Sequence, residues 1–261
     1  MTVVRQVRRS YERGITTLTL DAPERRNALS ARLVEELADA LKECAEDEDG
    51  AGAGSGGGSG VRAVVLTHTG NTFSAGADLR DPPHPDALVA LLRQIVELPK
   101  PVVARVTGHV RAGGLGLLGA CDIAVASQDA TFAFTEVRIG VAPAVISLPL
   151  LARLDPRALA RYYLTGERFD AAEAARIGLV TAAGDDAHDA DDVLAPVLDG
   201  LRRSAPQGLA ETKRLLTARV LEIFDRDAAD LTALSARLFS SAQAREGMTA
   251  FLERRDPSWV W

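Results

Sequence analysis

Hydrophobic positions near the start of the chain repeat first with the period of a strand and then with the period of a helix. Residues 15–20 (ITTLTL) interleave apolar residues with threonines, which predicts a half-buried strand. Ser30 is a suitable cap for a following helix, because its hydroxyl can accept a backbone hydrogen bond from the first turn. The next apolar residues lie three or four positions apart, on one helix face. They are Leu33, Leu37, Leu41 and Cys44.

Apolar runs and helical segments then alternate along the chain. Residues 61–67 (VRAVVLT), 102–106 and 122–127 are predicted strands. Residues 86–98 predict a helix that the Pro-Lys-Pro sequence at 99–101 ends. Strands that alternate with helices indicate an α/β core with parallel pairing.

From Asp155 onward the pattern is almost entirely helical. Asp155 and Pro156 form a suitable N-cap and first residue of one helix. Asp170 with Glu173 resembles a capping box at the start of a helix over residues 171–177. The helical period therefore replaces the alternation seen earlier in the chain.

The last part of the chain predicts two further helical segments. Pro206 opens one, and residues 225–245 place three leucines on one face. These leucines are Leu231, Leu234 and Leu238. The sequence thus predicts an α/β core over residues 1–203 and a C-terminal helical region over residues 204–261, with the boundary near Ser204.

A run of glycine, serine and alanine lies between the first predicted helix and the strand at 61–67. Residues 50–60 read GAGAGSGGGSG and offer no side chain large enough to bury, which predicts a flexible tract. The tract is either a mobile lid over a site or an inert insertion between two elements. Its composition favours the insertion.

Charge and composition narrow the class of protein. The 261 residues include 36 acidic and 30 basic side chains, and the net charge of −6 argues against binding to a nucleic-acid backbone. Hydrophobic residues make up 47% and charged residues 25%, as in ordinary soluble globular proteins. The longest apolar run, residues 141–151, is short and contains Pro143 and Pro149, so no membrane-spanning segment is predicted.

The cysteines and the first residues indicate an intracellular protein. Cys44 and Cys121 are isolated, without the spacing of a metal site or a disulfide framework. Residues 1–14 lack the apolar segment of a signal peptide. We therefore expect a cytoplasmic protein without a metal site.

Two segments with small residues are candidates for chemistry. Residues 71–80 (NTFSAGADLR) and 108–122 (GHVRAGGLGLLGACD) each follow a predicted strand, and the second leads into a helix near Gly114. Small residues let a ligand approach the backbone closely. Two backbone N–H groups from separate loops, one at a helix N-terminus, can bind an oxygen whose negative charge grows during a reaction. Each segment alone is also compatible with a tight turn or helix-packing glycines.

The second segment also matches a dinucleotide-binding fingerprint, through Gly114, Gly116 and Gly119. In that fingerprint the glycines follow the strand directly, whereas here residues 107–113 intervene. Few residues then remain for a crossover helix before the strand at 122–127. We therefore do not expect a nicotinamide cofactor.

Several segments together resemble those of the enoyl-CoA hydratase/isomerase (crotonase) superfamily. FSAGADL at 73–79, AGG at 112–114 before CDIAVAS, and TFAFTEVRIGVAP at 131–143 occur in the family's order and spacing. ERRNAL at 24–29 resembles an N-terminal turn of the family, and GMTAFLERRDPSW at 247–259 resembles its C-terminal end. The resemblance covers nearly the whole chain apart from the Gly/Ser tract.

The resemblance implies a fold and a set of binding residues. The fold is a spiral of ββα units with a C-terminal helical region that forms trimers. The backbone N–H groups of Ala77 and Gly113 would form an oxyanion hole for a thioester oxygen. Other matched positions would bind the coenzyme A thioester. They are Arg26, Ala28, Ala75, Asp78, Leu79, Arg80, Ala112, Gly114 and Gly116 near the groove, and Phe251 and Arg254 at the C-terminal end, often from a neighbouring subunit.

The resemblance also implies partners. We expect an acyl-CoA thioester as substrate and no separate cofactor, because coenzyme A is part of that substrate. A homotrimer or a dimer of trimers is expected, with no nucleic-acid or membrane partner. Some superfamily members bind RNA, but the acidic balance of this chain makes that function a poor match.

Glu136 matches the second of the two acid–base glutamates in family hydratases. It ends an apolar strand and precedes an apolar loop, so burial should raise its pKa towards neutrality and suit it to proton transfer. Without the resemblance, a lone glutamate is more simply explained as a solvated surface charge.

The chain departs from the two-glutamate pattern at Gly116, where the first glutamate is expected. A one-glutamate hydratase and a Δ3,Δ2-enoyl-CoA isomerase are both compatible with this departure; in the isomerase, Gly116 would make room for the acyl chain. Residues 135–147 resemble a loop of bacterial methylglutaconyl-CoA-like hydratases, which favours the hydratase.

Three further alternatives stay open. A decarboxylase or thioester hydrolase would use the same oxyanion hole, and a degenerate relative would bind acyl-CoA without turnover.

Arg111, two residues before Gly113, is either an exposed loop arginine or a group that recognises a carboxylate on the acyl chain. The acyl group depends on how the loops at 82–85 and 142–148 fold.

Overall fold

The computed structural model describes residues 5–47, 60–185 and 189–261. Within these ranges the chain forms ten strands in two sheets. The strands are β1 (Val7–Glu12), β2 (Ile15–Leu20), β3 (Ala63–His68), β4 (Thr72–Ser74), β5 (Val102–Val106), β6 (His109–Arg111), β7 (Ile123–Ala126), β8 (Thr131–Ala133), β9 (Phe169–Asp170) and β10 (Ala182–Ala183). The Gly/Ser tract, apart from Gly60, lies outside the described residues, so both interpretations of it stay predictions.

The same ranges contain nine α-helices and two short 3₁₀ turns. The helices are α1 (Ala31–Glu46), α2 (Pro85–Glu97), α3 (Gly113–Ala120), α4 (Ser147–Leu150), α5 (Pro156–Thr165), α6 (Ala171–Arg176), α7 (Ala190–Arg203), α8 (Pro206–Phe239) and α9 (Ala242–Glu253). The 3₁₀ turns are Pro23–Arg25 and Glu136–Ile139. None of the described helices is long and apolar enough to cross a membrane.

The larger sheet has the strand order β1-β2-β3-β5-β7-β10. Its strands pair in parallel except for β1 and β2, which are antiparallel. The strands predicted at 15–20, 61–67, 102–106 and 122–127 are confirmed with small differences at their ends, and so is parallel pairing. The sequence did not indicate β1, because five of its six residues are exposed and no apolar alternation marks it.

The smaller sheet has the order β4-β6-β8-β9, with β4, β6 and β8 parallel and β9 antiparallel. Each of β3, β5 and β7 in the larger sheet is followed directly by one of these parallel strands. A helix then follows β4 (α2) and β6 (α3), so the chain winds as a spiral of ββα units. This is the α/β architecture that the resemblance predicted.

Helix α1 shows why the local pattern was sufficient for its prediction. The Ser30 hydroxyl accepts a hydrogen bond from the Leu33 N–H at 3.2 Å and caps the helix. The four residues predicted on one face, together with Val34, are buried against the core. The face that these residues form contacts the rest of the hydrophobic core, so capping and burial favour the same element.

Helix α8 ties the C-terminal helical region to the α/β core. It packs against α2 and α4. The ammonium group of Lys213, whose side chain is 5% exposed, lies 2.8 Å from Asp122 Oδ2 and donates to the carbonyl oxygen of Ile95. Because α7 ends at Arg203 and α8 begins at Pro206, the helices are compatible with the predicted boundary near Ser204. The division of the chain into two units itself stays a prediction.

Two local predictions in this region are corrected. The helix predicted over 225–245 is interrupted, because α8 ends at Phe239 and Ser241 caps a new helix, α9. The capping box at Asp170 is only half formed. Asp170 accepts from the Glu173 N–H, but the Glu173 carboxylate binds Tyr162 and Arg176 instead of returning to the cap.

Candidate active site

The parallel strands of the smaller sheet bring the three candidate catalytic positions together. Strand β4 ends at Ser74, β6 at Arg111 and β8 at Ala133. Because the carboxyl ends of parallel strands meet at one edge of a sheet, the residues that follow these strands are neighbours. Each strand is followed within three residues by one candidate. They are Ala77, Gly113 and Glu136.

The Ala77 amide is positioned by pairing with the N-terminal turn. The Leu29 N–H donates to the Gly76 carbonyl at 2.7 Å, and the Asp78 N–H donates to the Leu29 carbonyl at 3.0 Å. This parallel bridge uses the groups on either side of Ala77. The Ala77 N–H therefore points away from Leu29, and no acceptor for it lies in the described part of the chain.

The loop that contains Ala77 touches the loop that contains Gly113. Gly76 has a φ of +92°, and a Cβ placed on it would lie 2.8 Å from the Ala112 Cβ and 3.3 Å from the Gly113 nitrogen. A Cβ on Gly113 would lie 3.6 Å from the Ala77 nitrogen. The two amides are thus close neighbours because the glycines allow the backbones to meet.

The turn into α3 is strained at Ala112. This residue has a φ of 45° and a ψ of −120°, a conformation that L-residues rarely adopt and that costs about 1–3 kcal/mol. It places Gly113 at the first position of α3, where N–H groups have no intrahelical acceptor and the helix dipole is positive. Among the described residues the Gly113 N–H donates to no protein group, so both amides are available to an anionic oxygen.

Asn27 fixes the turn that supports this arrangement. It is fully buried with a φ of 49°, its Oδ1 accepts from the Ala22 N–H, and its amide donates to the carbonyl groups of Thr69 and Thr72. A single side chain therefore joins the N-terminal turn to the start of β4. The sequence pattern does not single out Asn27 for this role, although it lies within ERRNAL.

Several positions predicted for the coenzyme lie on two adjacent segments of backbone. The Ala75 N–H donates to the Arg26 carbonyl at 3.0 Å, which places residues 26–29 beside residues 75–78. Buried Asp78 accepts from the Arg80 N–H and lies 3.5 Å from the guanidinium of Arg25. The structure thus brings together six of the positions that the resemblance implied and adds Arg25 beside them. These six are Arg26, Ala28, Ala75, Asp78, Leu79 and Arg80.

Glu136 is a buried carboxyl group without a compensating partner. It is 8% exposed, and its Oε2 has no hydrogen-bond partner among the described residues. Burial raises the pKa of Glu136 to about 7, against a smaller lowering by its own backbone N–H. Glu136 begins the 3₁₀ turn rather than ending the strand, since β8 stops at Ala133. The shift towards neutral pH that the sequence predicted is present.

The space beside Gly116 is filled by protein. A Cβ on Gly116 would lie 2.7 Å from Ile146 Cγ2 and 3.4 Å from Leu92 Cδ1. The idea that this glycine makes room for an acyl chain is therefore wrong in this structure, because Ile146 occupies the room. The same apolar wall leaves no volume for a carboxylate at this position.

Arg111 is not an exposed loop arginine. It lies in β6 and is half-buried, and its guanidinium donates to the Thr131 carbonyl and hydroxyl and to the Val110 carbonyl. Burial, with a smaller contribution from Arg168, lowers the pKa of Arg111 to about 10. The exposed-loop interpretation is corrected, since two guanidinium nitrogens bind β6 and the neighbouring strand β8, and recognition of an acyl carboxylate stays a prediction.

The structure does not bring Phe251 and Arg254 to the other candidates. Phe251 is 55% exposed on α9, and Arg254 ends that helix with a left-handed φ of 57°. Among the described residues, no hydrogen bond or ion pair links their side chains to the site. Their predicted role over coenzyme A stays a prediction.

Two cavities of about 290 Å³ each lie around Asp122 and Arg153, beyond the C-terminal end of α3. They contain none of the predicted site residues. We place the site at the N-terminal end of α3 instead, because free amides and a buried carboxyl group converge there and cavity size alone indicates no chemistry.

Comparison with known proteins decides the family. The enoyl-CoA hydratase/isomerase family model matches residues 10–260. The chain belongs to this family. An enoyl-CoA hydratase from Mycobacterium avium of known crystal structure is 49% identical, with a TM-score of 0.87 over 99% of this chain and 100% of that one.

Two relatives of known sequence illustrate the range of names within the family. A Thermus thermophilus protein named "Putative enoyl-CoA hydratase" is 34% identical over 94% of this chain and 98% of its own. The 1,2-epoxyphenylacetyl-CoA isomerase of Escherichia coli is 31% identical over 95% of this chain and 96% of its own. Membership of the enoyl-CoA hydratase/isomerase family supports acyl-CoA thioesters as the substrate class and leaves the reaction open.

Proposed function

We propose that the protein is an enoyl-CoA hydratase that adds water across the 2,3 double bond with Glu136 as its one acid–base carboxyl group. The observation that supports this proposal most directly is the position of Glu136. It lies at the same edge of the smaller sheet as the Ala77 and Gly113 amides, and its pKa is raised to about 7. A group with this pKa can both accept and return a proton near neutral pH.

In the proposed mechanism, the thioester oxygen accepts hydrogen bonds from the N–H groups of Ala77 and Gly113. The Glu136 carboxylate takes a proton from a water molecule as the water oxygen attacks the β-carbon. Electron density moves to the thioester oxygen as the enolate forms, and the two amides stabilise that charge. Protonated Glu136 then delivers its proton to the α-carbon, so one molecule of water is added and the carboxylate is restored.

The positive end of α3 adds to this stabilisation. The Gly113 N–H is the first of the helix, and fixed N–H dipoles in a buried site need little reorganisation when the charge develops. Removing one such donor from an oxyanion hole typically costs about 100- to 1000-fold in rate. We therefore propose that the oxyanion hole contributes the larger part of the rate enhancement and that Glu136 transfers the proton.

A Δ3,Δ2-enoyl-CoA isomerase is the second candidate, and the surroundings of Gly116 favour it. Ile146 and Leu92 form an apolar wall where a second carboxylate would otherwise help hold water. A single carboxyl group that shuttles a proton between C2 and C4 needs no bound water. The isomerase named among the relatives is compatible with this alternative.

One product analysis separates the two candidates. Wild type and Glu136→Gln are incubated with 2-enoyl- and 3-enoyl-CoA esters in H₂¹⁸O, and the products are measured by mass spectrometry. We expect ¹⁸O in a 3-hydroxyacyl product, lost in Glu136→Gln. Double-bond migration without label, also lost in the variant, would assign the isomerase.

Three other outcomes contradict both candidates. Free coenzyme A or carbon dioxide among the products would indicate a thioester hydrolase or a decarboxylase that uses the same amides. Tight coenzyme A binding without any product would indicate a relative that binds acyl-CoA without turnover.

Two separate proposals need their own tests. Mass determination in solution would test whether the protein forms a homotrimer or a dimer of trimers. Cell fractionation would test whether the protein is cytoplasmic.

A further inference from the structure

Two corners of the chain lead into the loops that carry the Ala77 and Gly113 amides. At each corner the chain leaves the larger sheet and enters the smaller one, from β3 to β4 and from β5 to β6. Strand β4 ends three residues before Ala77, and β6 ends two residues before Gly113. The spacing of the two amides therefore depends on how these corners are held together.

The pairing between β4 and β6 defines their register only weakly. Each strand has three residues. Thr72 pairs with His109 and Ser74 pairs with Val110, so β4 advances by two residues where β6 advances by one. A short ladder with such an irregularity leaves room for alternative pairings. Contacts at the corners must therefore contribute to the register.

Backbone contact between the corners supplies part of this support. The His109 N–H donates to the Asn71 carbonyl at 3.0 Å. A Cβ on Gly108 would lie 2.3 Å from the same carbonyl oxygen, so only glycine allows this approach. The His109 ring is directed elsewhere, with its Nδ1 3.0 Å from the hydroxyl of Thr131.

His68 adds a side-chain contact between the two corners. Its side chain is buried at the end of β3, and its Nε2 accepts from the Thr107 N–H at 3.1 Å. Its Nδ1 lies 3.3 Å from the Thr69 carbonyl oxygen. The ring also meets the ring of Phe73 in β4 edge-on, at 81° with centroids 5.7 Å apart. One side chain thus contacts both corners and β4.

These two contacts determine the protonation state of His68. A backbone N–H can only donate, so the Nε2 that faces Thr107 carries a lone pair. A carbonyl oxygen can only accept, so the ring proton lies on Nδ1. The bond to Thr107 therefore exists only while the imidazole is neutral.

The charges around His68 favour the neutral form. Burial lowers the pKa of His68 and the positive charge of Arg105 lowers it further, against hydrogen bonds to backbone carbonyls that raise it. The nearby carboxylates are paired with arginines, Asp191 with Arg105 and Asp21 with Arg8. None of the described carboxylates contributes to the pKa of His68.

We propose that neutral His68 is a positioning residue for the oxyanion hole, which joins the two corners by accepting from Thr107. It thereby fixes the register of β4 against β6 and the spacing of the Ala77 and Gly113 amides. This inference rests on the proposed binding of a thioester oxygen by these amides, but not on which reaction follows.

Two substitutions separate the acceptor from the ring. His68→Phe keeps an aromatic ring beside Phe73 but offers no acceptor to the Thr107 N–H. His68→Gln loses the ring but keeps an oxygen at about the reach of Nε2, and that oxygen cannot be protonated. A role in packing alone predicts more damage from glutamine, whereas the proposed role predicts more damage from phenylalanine.

Thr181 provides a matched control in the larger sheet. Its hydroxyl accepts from the Ala124 N–H of β7 at 3.1 Å. Thr181→Val therefore removes a side-chain acceptor from a backbone amide, as His68→Phe does, at a strand that leads to neither Ala77 nor Gly113. It should leave the signals of these two amides unchanged.

The test compares the backbone amides directly in the ligand-free protein. The ¹⁵N–¹H signals of Ala77 and Gly113 are assigned by NMR and measured in wild type, His68→Phe, His68→Gln and Thr181→Val. We expect both signals to move in His68→Phe and to return in His68→Gln. Steady-state kinetics should show about a tenfold lower kcat in His68→Phe with KM changed less than about twofold, and recovery of most of kcat in His68→Gln.

The outcomes separate this inference from the proposed function, because the amide signals need no turnover. Both signals at their wild-type positions in His68→Phe overturn the positioning role even if hydration is observed. Equal movement in His68→Gln or in Thr181→Val also overturns it. Movement in His68→Phe that glutamine reverses supports the role even if the enzyme proves to be an isomerase.

Should His68→Phe not fold, the pH dependence of the same signals decides. The titration is performed in Glu136→Gln, so that ionisation of Glu136 does not contribute. Movement of both amide signals together with protonation of the His68 ring, below the ordinary pKa of histidine, supports the proposal. Amide signals that do not follow the ring, or a ring that titrates at its ordinary pKa, overturn it.

Discussion

The two sides of the candidate site are built in different ways. On the amide side, Ala77 and Gly113 are held by backbone pairing, by a close contact between glycine and alanine, and by a strained turn into α3. On the carboxyl side, Glu136 extends from a short 3₁₀ turn, and its Oε2 has no partner among the described residues. The first side is fixed by the main chain, and the second is tuned by its surroundings.

This difference implies different sensitivities to mutation. Only proline removes a backbone N–H, so any other side-chain change disturbs the amide side by moving the loops apart. The carboxyl side depends on one ionisable group, and an isosteric substitution removes its chemistry while leaving its volume. A substitution on the carboxyl side should therefore lower activity without lowering stability. A substitution on the amide side should lower both.

The largest effect is expected for Glu136→Gln. The amide cannot transfer the proton, so kcat should fall about 1000-fold, within the range typical of general acid–base groups. Because the substitution also removes an unpaired buried charge, the free energy of unfolding at pH 8 should stay equal or rise. Steady-state kinetics and urea unfolding on the same preparation would check both, and a loss of stability together with activity would contradict the assignment.

The next largest effect is expected for Gly76→Ala. A methyl group would lie 2.8 Å from the Ala112 Cβ at a φ of +92°, so the loop must move and separate the two amides. We expect kcat to fall about 100-fold and the melting temperature to fall with it. The comparison would fail if kcat fell while a crystal structure showed both loops unmoved.

The pH dependence of stability should reveal the buried carboxyl group. The pKa of Glu136 is about 7 in the folded chain against an ordinary value of 4.5, so the folded state binds more protons between these values. Stability should therefore decrease as pH rises through this window, by on the order of 2 kcal/mol from this group alone. Urea unfolding at pH 5 and pH 8 would show this decrease in wild type and a smaller one in Glu136→Gln.

A smaller effect is expected at Gly116, which links the two sides through α3. Gly116→Ala would place a methyl group 2.7 Å from Ile146 Cγ2 and should cost about 1–3 kcal/mol of stability. Ile146→Ala in the same chain should recover part of that loss, because it removes the colliding atoms. Chemical denaturation of the two single variants and the double variant would measure the coupling, and strict additivity would argue against the contact.

The smallest effect is expected for a control glycine, Gly200 in α7. Apart from its chain neighbours and the backbone of its own helix, no atom of the described residues lies within 4 Å of the position that a Cβ on Gly200 would occupy. Gly200→Ala should therefore stabilise the protein by about 0.4–1 kcal/mol through helix propensity. Its kcat should equal that of wild type. A loss of activity in this variant would show that effects at Gly76 are not specific to the loop contact.

Several elements are specified by their own residues and could be predicted before the fold was seen. Strand β2, helix α1 with its Ser30 cap, and the Asp155 start of α5 follow from period and capping chemistry within a few residues. The ordered motifs were sufficient for the family, and an apolar context was sufficient to predict the raised pKa of Glu136. Local rules are reliable where cap, period and burial favour the same structure.

How these parts meet was settled only by the folded chain. Strands of three residues, such as β4, β6 and β8, are too short to show a period, so the smaller sheet was not visible in the sequence. Ile146 fills the space at Gly116 and Thr131 binds Arg111 across tens of residues of chain, contacts that no local pattern encodes. The proton-transfer environment of Glu136 arises in the same way, because burial depends on elements that are distant in sequence and adjacent only after folding.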